Sequence, residues 1–224
     1  FKCPENHIAI IKALARKKVG LTREELIKAA KVPNGGGTTK ALKELEESGF
    51  IRVYTPLYKK LRNSLYQLTD QYTLFYFNFL EKEGNKVGHW LKLLDSPKQR
   101  TWSGYAFEQL CFNHVEQVKK ALGISGIITE VASWIGKGAQ IDMIIDRNDG
   151  VITICEMKYS KNSFVITKKY ANDLRNKLGV FMADAKSKKA VHMAFVTANG
   201  LVSNEYANEM VQKNVEAEHL FLDI

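Results

Sequence analysis

Three charged residues fall where a strand pair would bring them together: Asp142, Glu156 and Lys158, within the segment Gln140 to Lys158. Asn148-Asp149-Gly150 between the two strand-like runs suits a three-residue hairpin loop, with Gly150 free to take a positive φ. That loop sets Arg147 against Val151, Ile144 against Ile154 and Asp142 against Glu156, and period-two alternation puts Lys158 on the face of Glu156. Carboxylates directly opposed across a strand pair have Cβ atoms about 4.5–5.5 Å apart, which is unfavourable without a cation. The neighbouring Ile144, Ile152 and Ile154 make the surroundings partly dry, where the repulsion is stronger. A hard divalent ion between Asp142 and Glu156 removes that penalty. Such oxygen ligands suit Mg2+ or Mn2+, with waters and a substrate phosphate completing the octahedron. Lys158 is then expected to orient the attacking water or to stabilise charge on the phosphorane, which in outline is phosphodiester hydrolysis. The competing reading leaves both carboxylates at a sheet edge, bonded to solvent or to Lys158.

The elements that must position these residues can be read from periodicity. A helix is expected over 104–122 and strands over 126–134, 139–147 and 151–158. A long helix over 166–184 follows, then a strand over 189–197, a helix over 204–213 and a final strand over 219–223. This order predicts an α/β core whose sheet is covered on both faces.

The first part of the chain differs. A helical stripe over 6–18 is followed by Thr22-Arg23-Glu24-Glu25, a capping-box pattern that starts a second helix. The segment 32–37, with Pro33 and Gly35-Gly36-Gly37, breaks that helix, and a third runs over 38–48 to Gly49. Strand-like segments at 50–54 and 64–68 enclose the basic stretch Tyr58-Lys59-Lys60-Leu61-Arg62. Three helices and a basic hairpin predict a winged helix-turn-helix over residues 1–70. An aromatic-rich helix over 70–83 and a connector with Gly84, Gly88 and Pro97 make 71–100 a helical linker, and 101–224 the second domain.

Charge divides along the same line. Residues 1–100 hold 19 Lys and Arg against 10 Asp and Glu, whereas residues 101–224 hold 14 of each. The whole excess therefore lies in the first part, as in a module facing a polyanion; a solvated basic surface is the plainer alternative. Thr38, Thr39, Lys40 and Lys43 begin or line the expected recognition helix, and Lys59, Lys60 and Arg62 lie at the wing. On DNA these would meet phosphates, with salt-sensitive affinity and little sequence choice. Winged helices also serve as protein-interaction modules. Tyr72, Phe75, Tyr76, Phe77 and Phe79 are read as packing rather than as base-stacking residues.

Asp142 with Glu156-Met157-Lys158, on the second and third strands of a helix-β-β-β-helix-β core, resembles the PD-(D/E)XK restriction-endonuclease-like superfamily. The resemblance implies an α+β nuclease domain with a Mg2+ or Mn2+ site held by Asp142 and Glu156, with Lys158 catalytic. It also implies an acidic ligand on the first core helix, a position that Glu108 matches within Gly104-Tyr105-Ala106-Phe107-Glu108. Glu108 is odd on physical grounds too, because its helical neighbours Gly104, Tyr105, Cys111 and Phe112 are uncharged and mostly apolar. Ile141 stands where the motif often has Pro. A winged helix before such a core is similar to the carboxyl-terminal region of a family of prokaryotic AAA-type ATPases. That likeness spans nearly the whole chain and implies an ATPase domain ahead of it, in keeping with a sequence that opens on Phe1 rather than Met. The alternative implied is a non-cleaving, DNA- or protein-binding regulatory tail.

Several other classes lack their signals. Gly35 to Lys40 does not fit G-x-x-x-x-G-K-[ST], so no nucleotide site is expected here. Cys3, Cys111 and Cys155 have neither disulfide nor zinc spacing; Cys111 and Cys155 read as core residues in a reducing, cytoplasmic setting. No apolar run approaches the roughly 20 residues of a bilayer span. The sequence is silent on oligomeric state.

Overall fold

The computed structural model describes residues 4–81, 89–185 and 187–223, and the chain divides into two compact units, 1–102 and 103–224. Among the described residues it is a mixed α/β protein with one sheet of three strands and one of five. Cys3 and the expected linker glycines Gly84 and Gly88 lie outside the described residues.

In the first unit, α1 (Pro4–Leu14), β1 (Leu21–Thr22), α2 (Arg23–Ala30) and α3 (Gly36–Glu47) precede β2 (Ile51–Tyr54) and β3 (Leu65–Leu68). Thr22 caps α2 as its sequence predicts: its hydroxyl accepts from the Glu25 amide, and the Glu25 carboxylate accepts from the Thr22 amide. Ile10, Leu14, Leu26, Leu42, Leu45, Ile51 and Leu68 form the buried core, so the apolar stripes of three short helices are closed over one sheet. That sheet is antiparallel in the order β1-β3-β2. The two-residue strand β1 has no sequence signal of its own; Gly20 permits it, with φ +94° and no room for a side chain beneath the Tyr66 carbonyl. The aromatic helix is shorter than its pattern predicts. α4 (Gln71–Phe75), capped by Asp70, passes into a π-helical turn over Tyr76–Leu80, and α5 is His89–Leu93.

The boundary between the units falls within α6 (Pro97–Asn113), which starts before Gly104 and breaks at His114, so the single helix expected to reach Leu122 is two, with α7 at Val115–Leu122. β4 (Thr129–Gly136), β5 (Ala139–Arg147), β6 (Val151–Lys158), α8 (Lys168–Ala185), β7 (Ala190–Thr197), α9 (Glu205–Met210) and β8 (Lys213–Glu216) follow. The sheet order is β4-β5-β6-β7-β8, with β4 to β6 antiparallel and β6 to β8 parallel. The last strand is therefore β8, not 219–223. Leu220 and its apolar neighbours sit instead in a 3-10 turn, Ala217–Phe221, started by a reciprocal Glu216–His219 cap. Leu220 is buried against the sheet, so the burial that suggested a strand is met by a turn.

Strand alternation sorts the sheet's residues. Met143, Cys155, Met157 and Val196 face α6 and α7 through Phe107, Cys111 and Val118. On the other face Met193 and Phe195 pack with Ala171 and Leu174 of α8 and Ala207 of α9. Glu156 is level with Phe195 and so belongs to the α8 face.

Candidate active site

The β5–β6 hairpin sets the site. Gly150 takes φ +85° in the loop, and the ladder pairs Asp146 with Ile152, Ile144 with Ile154 and Met143 with Cys155. One residue further, the same register places Asp142 opposite Glu156, near the carboxyl end of β6. Lys158 follows two residues on, on the same face.

Glu156 is 2% exposed and fully bonded. Its Oε1 receives the Lys158 ammonium at 2.9 Å and the Tyr170 hydroxyl at 2.7 Å; its Oε2 receives the Lys177 ammonium at 2.8 Å. Burial alone would raise its pKa, but Lys158 and Lys177, with the hydrogen bonds from Lys177 and Tyr170, outweigh burial and hold the carboxyl below its ordinary value. Asp142 is half-buried and shifts the other way. Burial and then the Glu156 charge raise it, against the pull of Lys177 and Lys158 and a 3.0 Å hydrogen bond from the Gln140 amide. Tyr170 is raised by burial and by Glu156, so it stays protonated as a donor. Its ring also lies under the Lys158 ammonium, 5.1 Å from Nζ to centroid.

Lys177 and Tyr170 carry no motif, and motif reading misses both. They lie two turns apart on α8, the same face as the buried Leu174 and Phe181. The signal that could have found Lys177 is its place in that stripe, where an apolar residue would be ordinary. Glu108 is half-buried on α6, whose neighbours Phe107 and Cys111 pack against the opposite face of the sheet; its charge helps to raise the Cys111 thiol, although burial is the larger cause. Among the described residues no group of three or more His, Cys, Asp or Glu side chains is placed to hold a metal ion, so Glu108 is not gathered with Asp142 and Glu156.

In the first unit, Lys40, Lys43, Lys59, Lys60 and Arg62 are exposed. Lys40 and Lys43 also lie 3.8 Å and 3.6 Å from Glu44 and Glu47, one turn on. Thr38 departs from its expected role. It is 1% exposed, and its hydroxyl donates to the Pro33 carbonyl at 2.6 Å, so it holds the turn before α3. Thr39 accepts from Arg23 at 2.9 Å, which brings an unpredicted cation to the start of α3. Phe75 and Phe79 pack edge to face against Trp90 and Trp102, in line with the packing role read for them, whereas Tyr72 and Tyr76 are exposed. Cys111 and Cys155 are buried free thiols, and no helix among the described residues is long and apolar enough to cross a membrane.

Residues 74–172 match the DUF234 family, described as archaea bacterial proteins of unknown function. The match takes in Glu108, Asp142, Glu156, Lys158 and Tyr170, and stops short of Lys177. No curated protein and no solved structure matches the chain.

Proposed function

We propose that the second unit is a metal-dependent phosphodiesterase domain of the restriction-endonuclease-like kind and that the first, as a winged helix, delivers DNA to it. The observation that carries the reading is the closeness of Asp142 to Glu156, whose charge adds to burial in raising the Asp142 pKa, with the Lys158 ammonium 2.9 Å from Glu156. The donor chemistry fits a hard divalent cation, which takes oxygen ligands: two carboxylates share one face, one of them raised by burial and then by the other's charge. Bound there by Asp142 and Glu156, Mg2+ or Mn2+ would supply Lewis-acid polarisation of the phosphate and a more acidic water. Lys158 orients that water and offsets charge on the phosphate oxygens. Tyr170 fixes the Glu156 carboxylate, and the isoleucines behind the pair keep bulk water out. Lys40, Lys43, Lys59, Lys60 and Arg62 meet DNA phosphates, and an ATPase domain in the same longer chain is the expected partner.

The second reading is a regulatory tail that binds DNA or protein without cutting. It is favoured by the same carboxylate, because Glu156 is already neutralised by two lysines and tolerates its position without a cation. Thermal unfolding with duplex DNA, in Mg2+ and in EDTA, separates the two. On the nuclease reading Mg2+ raises the wild-type melting temperature by several degrees, and Asp142→Ala abolishes the rise. An equal rise in both proteins would leave the tail reading standing.

A further inference from the structure

Two lysines share one carboxylate. Lys177 holds Oε2 of Glu156 at 2.8 Å, while Lys158 and Tyr170 hold Oε1. With Asp142 ionised the two acids and two ammoniums balance, so the cluster already has the charge that a buried site tolerates. A divalent cation entering alone must displace an ammonium from Glu156 and leave surplus positive charge in partly dry surroundings, which is costly. Entry with a phosphodiester avoids that cost, because the anion pairs with the displaced ammonium.

The two lysines are not equivalent. Lys158 stands on β6 and is held additionally over the Tyr170 ring. Lys177 reaches the other carboxylate oxygen from α8, and its ammonium has no such ring contact among the described residues, so one hydrogen bond and its charge hold it there. We propose that Lys177 is a positioning residue for substrate phosphate: it holds Glu156 at rest, yields that carboxylate to a divalent cation, and passes to a phosphodiester oxygen. Cation and phosphodiester then bind as a coupled pair, and neither binds well alone. This rests on the phosphodiesterase reading of the site and deepens it.

The test is calorimetric titration of Mn2+ into the whole chain, alone and with dimethyl phosphate, a diester too small to need the first unit. Wild type should bind Mn2+ about tenfold more tightly with dimethyl phosphate than without, an ordinary size for coupling between two ligands. Lys177→Met should bind Mn2+ alone about tenfold more tightly than wild type, and dimethyl phosphate should add no more than about twofold. Lys177→Arg should keep the wild-type coupling, which a merely structural role for the side chain does not require. Wild-type affinity indifferent to dimethyl phosphate would overturn the proposal, as would a folded Lys177→Met with unchanged or weaker Mn2+ binding. If Lys177→Met does not fold, the wild-type comparison decides alone. Absence of Mn2+ binding in every condition would remove the phosphodiesterase reading as well, whereas binding indifferent to the anion removes only the role of Lys177.

Discussion

The Lys177 ammonium on α8 lies 2.8 Å from Oε2 of Glu156 on β6, closing the carboxylate from the side that its sequence neighbour Lys158 does not reach. A helix that reads as amphipathic cover for a sheet thus supplies half of the charge that lets Glu156 stay ionised while buried. The consequences for stability and for function can be separated.

Removing the Glu156 charge should destabilise the fold. Glu156→Gln leaves Lys158 and Lys177 facing each other with weaker acceptors, a loss of about 2 kcal/mol at neutral pH once the lysines' partial exposure is allowed for. Because the folded carboxyl is held below its ordinary value, this stability is present above the unfolded value and is lost as pH falls through the folded one. Urea unfolding of wild type and variant across the acid range measures it: the two curves should converge at low pH.

Asp142 carries the opposite sign. Its folded pKa is raised, so ionisation opposes folding, and the stability linked to its proton is lost as pH rises through the folded value. Asp142→Asn should therefore stabilise the protein by about 1 kcal/mol at neutral pH, with the gain vanishing once pH falls below the ordinary Asp range. Functional carboxylates often stand at such a cost to stability. A destabilised Asp142→Asn at neutral pH would show that burial and the Glu156 charge together do not disfavour the ionised form.

These opposite signs mark how much of the site was legible beforehand. Asn148-Asp149-Gly150 fixes a turn, a turn fixes register, and register alone puts Asp142 opposite Glu156 and Lys158 on their face. Lys177 and Tyr170 were not legible, because a lysine on a mixed helix reads as solvated until the packing of that helix is known. Thr38 was misplaced for a similar reason: a threonine near a helix start can face a ligand or cap a turn, and the Pro33 carbonyl decides it. The closing strand failed because Leu220 alone is buried, from a 3-10 turn, with Phe221 and Leu222 exposed, while Lys213–Glu216, polar in three of four positions, pairs with β7 by backbone bonds that need no apolar pattern.

Tyr170→Phe isolates one hydrogen bond. The ring keeps its place under Lys158 while Oε1 of Glu156 loses a donor, at a cost of about 1 kcal/mol in urea unfolding. A change near zero would show that the hydroxyl bond adds nothing to the two lysines.

DNA contact by the first unit predicts a salt dependence that its lysines carry. The slope of log affinity against log salt should fall by about 1 for each phosphate contact removed, so the triple change Lys59→Ala, Lys60→Ala, Arg62→Ala should reduce it by about 3. Arg23→Ala should act in the same sense if the start of α3 lies on the phosphates. Fluorescence anisotropy with a labelled duplex across a salt series reads these slopes, and unchanged slopes would place the DNA elsewhere.

Whether Asp142 and Glu156 serve phosphodiester hydrolysis is tested most directly by Asp142→Asn, which should leave the protein folded. Wild type, Asp142→Asn and Lys158→Met would be incubated with linear, circular, single-stranded and branched DNA in Mg2+, Mn2+ or EDTA. The account predicts cutting by wild type that requires the metal, with both variants reduced by at least about a hundredfold. Asp142→Asn should lose activity while gaining stability. Cutting by Asp142→Asn at the wild-type rate would contradict it, as would a wild type that cuts none of these substrates.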